Sequence, residues 1–187
     1  MPKFFVTQDK ISDNQIIIDS EDVTHISRVL RLEKGDNVTV CDGQGTDYDA
    51  QIDTIEPKKI LLNIVSRQKS ETEPNIKVTL FQALPKASKM EYIIQKTTEL
   101  GISEIVPVKL SRCVVKIDNK KDEKKKIDRW QKIAESAAKQ SGRGIVPIVS
   151  EFMTINEVIE KSKEFDLFFV PYECEEQKTL KEINFKR

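Results

Sequence analysis

Three short clusters in the second half of this chain carry side chains that could do chemistry. Pro85-Lys86 is followed by Lys89, Gln95, Lys96 and Glu99; then comes Ser111-Arg112-Cys113; Gln140-Ser141-Gly142-Arg143 closes the set. In the first half, His25, Arg28 and Arg31 fall at i, i+3 and i+6 on the outer side of a helix. Ammonium and guanidinium groups of this kind hold phosphates and orient anions. Arg112 cannot act as a base at neutral pH, because guanidinium does not deprotonate. The chemistry on offer is electrostatic.

Other chemistries are excluded by what is missing. There is no G-x-G-x-x-G, no Walker loop and no G-x-S-x-G, and only six glycines are available for such turns. A Ser-His-Asp triad would have to use His25, the one histidine, which lies in the other half of the chain from these clusters. Cys41, Cys113 and Cys174 are far apart and form no C-x-x-C, so no metal site is expected and reduced thiols are.

Charge narrows the partner. The 31 basic and 31 acidic residues cancel. Residues 1–72 hold 9 basic against 13 acidic side chains, whereas 86–143 hold 15 against 8. A basic middle between acidic flanks suits a polyanion, RNA or DNA, held on one surface. Part of the excess is the run Lys120 to Lys126, which reads as a mobile, solvated loop. The first residues lack the apolar run of a signal peptide, and no stretch reaches the ~20 apolar residues of a membrane helix, so a cytoplasmic protein is expected.

The elements that must position these clusters come in two rhythms. Over 1–70, Phe4–Val6, Ile16–Ile18, Val38–Val40, Tyr48–Ile52 and Ile60–Val65 are short strands separated by turn signals. One helix over about 20–30 turns Val23, Ile26 and Leu30 inward. This is a small β-barrel. Residues 66–75 lack large apolar side chains and read as a linker, placing the boundary at about 71–76. From 77 onward strand and helix alternate: Val78–Leu84, a helix to Leu100, Ile105–Leu110, a helix over 127–141, Ile145–Val149, a helix over 154–162 and Phe165–Val170. The first of these helices is capped by Ser88 and Glu91, stopped by Gly101, and buries Met90, Ile93, Ile94 and Leu100 with Thr97 and Thr98. The alternation predicts an α/β domain on a mostly parallel sheet. Ligands gather outside the carboxyl ends of such strands, which makes Pro85-Lys86 and Ser111-Arg112 neighbours.

Each cluster has a purely structural alternative. Arg112 could brace a loop, Glu99 could simply pair with Lys96, and Ser141-Gly142-Arg143 could be no more than a helix C-cap.

Together, "HISRVLRLEKGD", "ALPKASKMEYIIQKTTELG", "SRCVV" and "RWQKIAESAAKQSGR" with the following Val146-Pro147 resemble, in order, the RsmE family of ribosomal RNA methyltransferases. The resemblance spans about 1–170. It implies a PUA-like RNA-binding barrel followed by a SPOUT-class α/β domain whose C-terminal trefoil knot binds S-adenosylmethionine and helps form a homodimer. The implied reaction is methylation of uridine N3 in 16S ribosomal RNA of the small subunit. It also implies roles: Arg112 and Glu99 at the reacting centre, Gln140 lining it, and Lys86, Lys96, Arg143, Arg28 and Arg31 on RNA.

The chain departs from the family after Val170. The glycine-rich "GPEGG" loop and the "LG-x-R-[IV]-LR-x-ET" stretch have no counterpart here, and the last 17 residues are polar. An incomplete SPOUT domain over 77–187 is therefore expected, inactive alone and not binding S-adenosylmethionine, with dimerisation in doubt. A non-enzymatic RNA-binding module and an assembly or interaction factor are the competing functions.

Overall fold

The computed structural model describes residues 2–86, 89–111, 113 and 119–171. Its first lobe is a five-stranded sheet in the order β1-β3-β4-β5-β2. The strands are β1 (Lys3–Phe5), β2 (Gln15–Ile18), β3 (Asn37–Cys41), β4 (Thr46–Ile55) and β5 (Ile60–Lys69). β1 pairs parallel with β3, and the remaining pairs are antiparallel. Alternating apolar residues send Ile16, Ile18, Val38, Val40, Ile52, Ile60 and Leu62 into one core, all at 0–1% exposure. The sheet curls over that core as a PUA-like half-barrel, with β1 and β2 as its edges. A short helix, α1 (Asp22–Thr24), continues as a π-helix over His25–Val29 and seals the core with Val23 and Ile26.

The segment read as a linker begins later than expected. β5 continues to Lys69, paired with the start of β4 (Thr46↔Lys69 to Asp49↔Ser66). A polar composition did not prevent pairing, because ladder hydrogen bonds are made by backbone and Ser66 to Lys69 of β5 stay exposed to water.

The second lobe carries a parallel sheet of β6 (Thr79–Ala83), β7 (Glu104–Lys109), β8 (Ile148–Val149) and β9 (Met153–Thr154). β8 and β9 flank β7 in tandem, against its two ends. The strand expected from Ile145 starts only after Pro147, whose missing N–H cannot join a ladder. α2 (Lys89–Glu99) and α3 (Lys120–Gln140) cover one face with Met90, Ile94, Trp130 and Ala134. Gly101 ends α2 at φ +98°. Leu100, placed in the inward stripe by its spacing, is 85% exposed, because the chain leaves the helix there. The N-cap residue Ser88 lies outside the described residues, and Glu91 pairs with Arg129 at 2.7 Å instead.

The charged run is helix rather than loop. Asn119 caps α3 by accepting from the Asp122 amide, and Asp122 and Glu123 occupy the positive first turn. Lysines with this spacing are good helix formers once the start is fixed. α4 (Ile155–Lys161) follows a complete Thr154/Glu157 capping box and buries Val158. Phe165–Val170 is not a strand. Phe165 and Phe168 pack edge-to-face on Phe81 at 5.7 and 5.9 Å, while Leu167, Phe169 and Val170 stay 40–76% exposed.

A polar joint welds the lobes. The 41–46 hairpin meets the loop after α3: the Gly45 amide donates to the Gly144 carbonyl at 2.9 Å, and the Val146 amide to Gly43 at 3.1 Å. Cys41, fully buried, donates its thiol to the same Gly144 carbonyl, and burial pushes that thiol up to about 12. Lys3 Nζ lies 2.9 Å from Asp47 and donates to Gly142. Only glycine fits at 144, where a Cβ would stand 2.1 Å from Ser70 Oγ.

Candidate nucleic-acid interface

The direction of each element decides where the predicted side chains go. β6 and β7 run parallel, and α2 returns between them, so Lys89 stands at the carboxyl ends of the strands and Glu99 at the amino ends. Ten residue steps along the helix separate these positions by about 15 Å. α3 likewise starts near the carboxyl end of β7, where Glu123 pairs with Lys109, and ends about 30 Å away.

The predicted cluster therefore divides. Lys86 is exposed at the carboxyl ends, as expected. Arg112 lies outside the described residues, between Ser111 and Cys113, which are at that same end. Lys96, Glu99, Gln140 and Arg143 all sit at the opposite end. Lys96 and Glu99 pair with one another at 2.7 Å. Gln140 is exposed in the last turn of α3, and Ser141 and Gly142 form its C-cap, with Gly142 at φ +70°. Helical polarity separates what sequence proximity had grouped.

Arg143 is the sharpest correction. It is 4% exposed, donates to Glu73 at 2.6 Å, and donates to the carbonyls of Ile102 (2.6 Å) and Thr98 (3.3 Å). All of its reach is used inside the joint, so it presents nothing to RNA. Burial pushes the Glu73 carboxyl up, but the Arg143 guanidinium and the amides of Ile145 and Gly144 outweigh burial and hold it below the usual carboxylate range.

Two basic features escaped the sequence reading. Lys109 ends β7, pairs with Glu123 and stands 5.4 Å from the centre of the Phe152 ring. Being the last residue of a parallel strand was its only signal. Lys125, Lys132 and Lys139 recur every seven residues on the exposed face of α3, opposite Trp130, Ala134 and Ala138. Lys121 extends this row towards the carboxyl ends of the strands. At the other end Lys139 reaches Asp22 of α1 at 3.6 Å, so the row runs from lobe to lobe. Arg28 and Arg31, further along the chain from Asp22, are exposed, with no ion-pair partner among the described residues.

Residues 72–187 match the family described as RNA methyltransferase domain, and residues 18–65 match the RNA methyltransferase PUA domain. The ribosomal RNA small subunit methyltransferase E of Bacillus subtilis is 35% identical over 176 residues, covering 92% of this chain and 68% of that protein. The chain belongs to this methyltransferase E family. Its Synechocystis relative of the same name is also 35% identical, and there the chain spans 85% of itself but half of the relative. Among solved structures, the Neisseria gonorrhoeae family member bound to S-adenosyl methionine is 30% identical with a TM-score of 0.72, over 86% of this chain and 65% of that one. The half-barrel is thus the PUA lobe of an RNA methyltransferase, and the parallel sheet belongs to its methyltransferase lobe.

A methyl donor of that kind carries an adenosine, two ribose hydroxyls and an amino-acid zwitterion. The described carboxyl ends of the strands offer the apolar Leu84 and Phe152, the exposed Lys86 and Ser111, and Lys109 already paired with Glu123. None of the six glycines is there to let the described backbone approach the ligand closely. The described residues do not fit that group. Among them, no three His, Cys, Asp or Glu side chains are grouped to hold a metal, and no helix is long and apolar enough to cross a membrane.

Proposed function

We propose that the protein serves N3 methylation of a uridine in 16S ribosomal RNA, acting in the cytoplasm on that RNA or on the small subunit. In this reading S-adenosylmethionine is the donor, and two copies pair, in the complete family protein. The described residues supply the surface that holds RNA. The observation that carries the proposal is the lysine row of α3 joining the PUA lobe to the carboxyl ends of a methyltransferase-family sheet. Such a row neutralises successive phosphates along a strand without reading sequence.

Methylating N3 would pass the proton of a weakly acidic imide to a base, and the N–CH3 bond would form as the donor's S–CH3 bond breaks and its thioether leaves. Positive charge beside the developing anion lowers that barrier, and a fixed strand geometry supplies alignment. Lys86 and Arg112 are assigned that electrostatic role, with Arg28 and Arg31 on phosphates further along. Glu99 is not assigned the proton, because it is tied to Lys96 at the far end of α2.

The test is made in the source organism. Disrupting the gene should abolish one N3-methyluridine in small-subunit RNA, read as loss of a reverse-transcription stop, since N3 methylation blocks the pairing edge. Persistence of every such stop would overturn the proposal. RNA binding by the chain with all stops intact would mark a non-enzymatic RNA-binding module.

A further inference from the structure

Three local anomalies coincide at the end of the first-lobe helix. The helix widens there, with the Leu30 amide donating to His25, five residues back, and the Leu32 amide to Ile26, six back. Single π turns of this kind concentrate at functional sites. Arg31 then closes the helix at φ +54°, the only non-glycine residue with positive φ among those described. A left-handed closing residue is ordinarily glycine, and a side chain there costs on the order of 1 kcal/mol. Leu32, half-buried, packs back onto the core, so the turn itself is an ordinary helix stop that glycine would serve better.

The third anomaly is what the turn displays. Val29 is 63% exposed and Leu30 37%, set between the exposed Arg28 and Arg31. The surrounding lobe is rich in carboxylates, yet neither arginine takes one as a partner among the described residues. Two free guanidinium groups in an acidic lobe fit an external anion. Two apolar side chains between them fit something flatter and less polar than phosphate alone.

We propose that Arg28 to Arg31 is a nucleotide-gripping edge. Val29 and Leu30 press on the ribose and base of an unpaired RNA nucleotide while Arg28 and Arg31 hold its phosphates. The proposal rests on the RNA-binding reading above and adds the apolar contact. An unpaired nucleotide suits the edge because its ribose and base faces are accessible, whereas a duplex offers mainly phosphates and hydroxyls.

The experiment measures binding of the whole 187-residue chain to a single-stranded small-subunit RNA fragment by fluorescence anisotropy across a range of salt. Two variants are compared: Val29→Ser/Leu30→Ser, and Arg28→Gln/Arg31→Gly, the latter keeping the left-handed turn. The serine pair should weaken binding about tenfold at every salt concentration and leave the log–log salt slope unchanged. The arginine pair should flatten that slope by about 1.4, the value for two contacts on a single strand. Both changes are at exposed positions, and unaltered thermal midpoints confirm folding. Wild-type affinity in the serine pair would overturn the proposal while leaving RNA binding intact. A change in its salt slope without a uniform loss would also overturn it. No RNA binding by the unmodified chain would remove the proposal and the reading beneath it together.

Discussion

The Arg143 guanidinium meets the Glu73 carboxylate at 2.6 Å, across 70 residues of sequence, with their side chains only 4% and 12% exposed. Glu73 Oε1 also accepts from the Gly144 and Ile145 amides at 2.8 and 2.9 Å. One carboxylate thus ties the segment between the lobes to the loop after α3. Removing the guanidinium strands a buried anion, and such losses are about 3–5 kcal/mol. Arg143→Ala is expected to fall in that range in urea denaturation. Arg143→Lys should recover little of it, because an ammonium cannot bridge Glu73 and two carbonyls as the fork does.

The same pair sets an acid limit. Burial raises the Glu73 carboxyl, but Arg143 and the two amides win, so its folded value lies below its unfolded one. Glu104 follows the same pattern: burial raises it, and Ser150, Lys161 and Thr79 together bring it down. A depressed carboxylate stabilises fully above its unfolded value and ceases to as pH falls through the folded one. Urea midpoints should stay level from neutral pH and then drop once the ordinary carboxylate range is passed. Glu73→Gln should start less stable and show a shallower drop.

Much of this architecture was legible in the chain because local rules and packing agree. The Val38–Thr39–Val40 strand, the Thr154/Glu157 cap and the Trp130–Ala134–Ala138 face were each readable from local sequence alone. The site was less legible, because spacing along a chain says nothing of which end of a sheet a residue reaches. Lys96 and Glu99 share a helix with Lys89 yet face the opposite end, since α2 runs against its strands. Arg143 looked like a phosphate ligand because an arginine after a C-cap is normally solvated. Only its long-range partner, Glu73, shows otherwise, and no local pattern encodes that pairing. Phe165–Val170 failed for a related reason: a short apolar run looks like a strand whether or not a ladder partner reaches it, and here most of the run stays exposed.

Thr98 is fully buried in α2, and its hydroxyl has no hydrogen-bond partner among the described residues. Its carbonyl, in contrast, accepts from Arg143. An unsatisfied buried hydroxyl is unfavourable by roughly 1–3 kcal/mol, and valine has nearly the same shape. Thr98→Val is expected to raise stability by about 1 kcal/mol, measured by urea denaturation. A loss of stability would mean the hydroxyl is paired in solution.

S-adenosylmethionine gives the most direct test of how the two lobes divide the work. The Neisseria family member is bound to that molecule, and a matching site in this chain would show as such binding here. The carboxyl ends of β6 and β7 argue against it. Holding an adenosine and a zwitterion takes close backbone approach and free polar partners, yet all six glycines lie elsewhere, at 35, 43, 45, 101, 142 and 144. Lys109 is held by Glu123, and the other groups described there are the exposed Lys86 and Ser111 and the apolar Leu84 and Phe152. Calorimetric titration of residues 1–187 with S-adenosylmethionine is therefore expected to give no micromolar binding, while RNA affinity measured alongside stays intact and salt-dependent. Micromolar binding would show that residues outside those described complete a donor site, and would move this chain from holding RNA to carrying out the transfer.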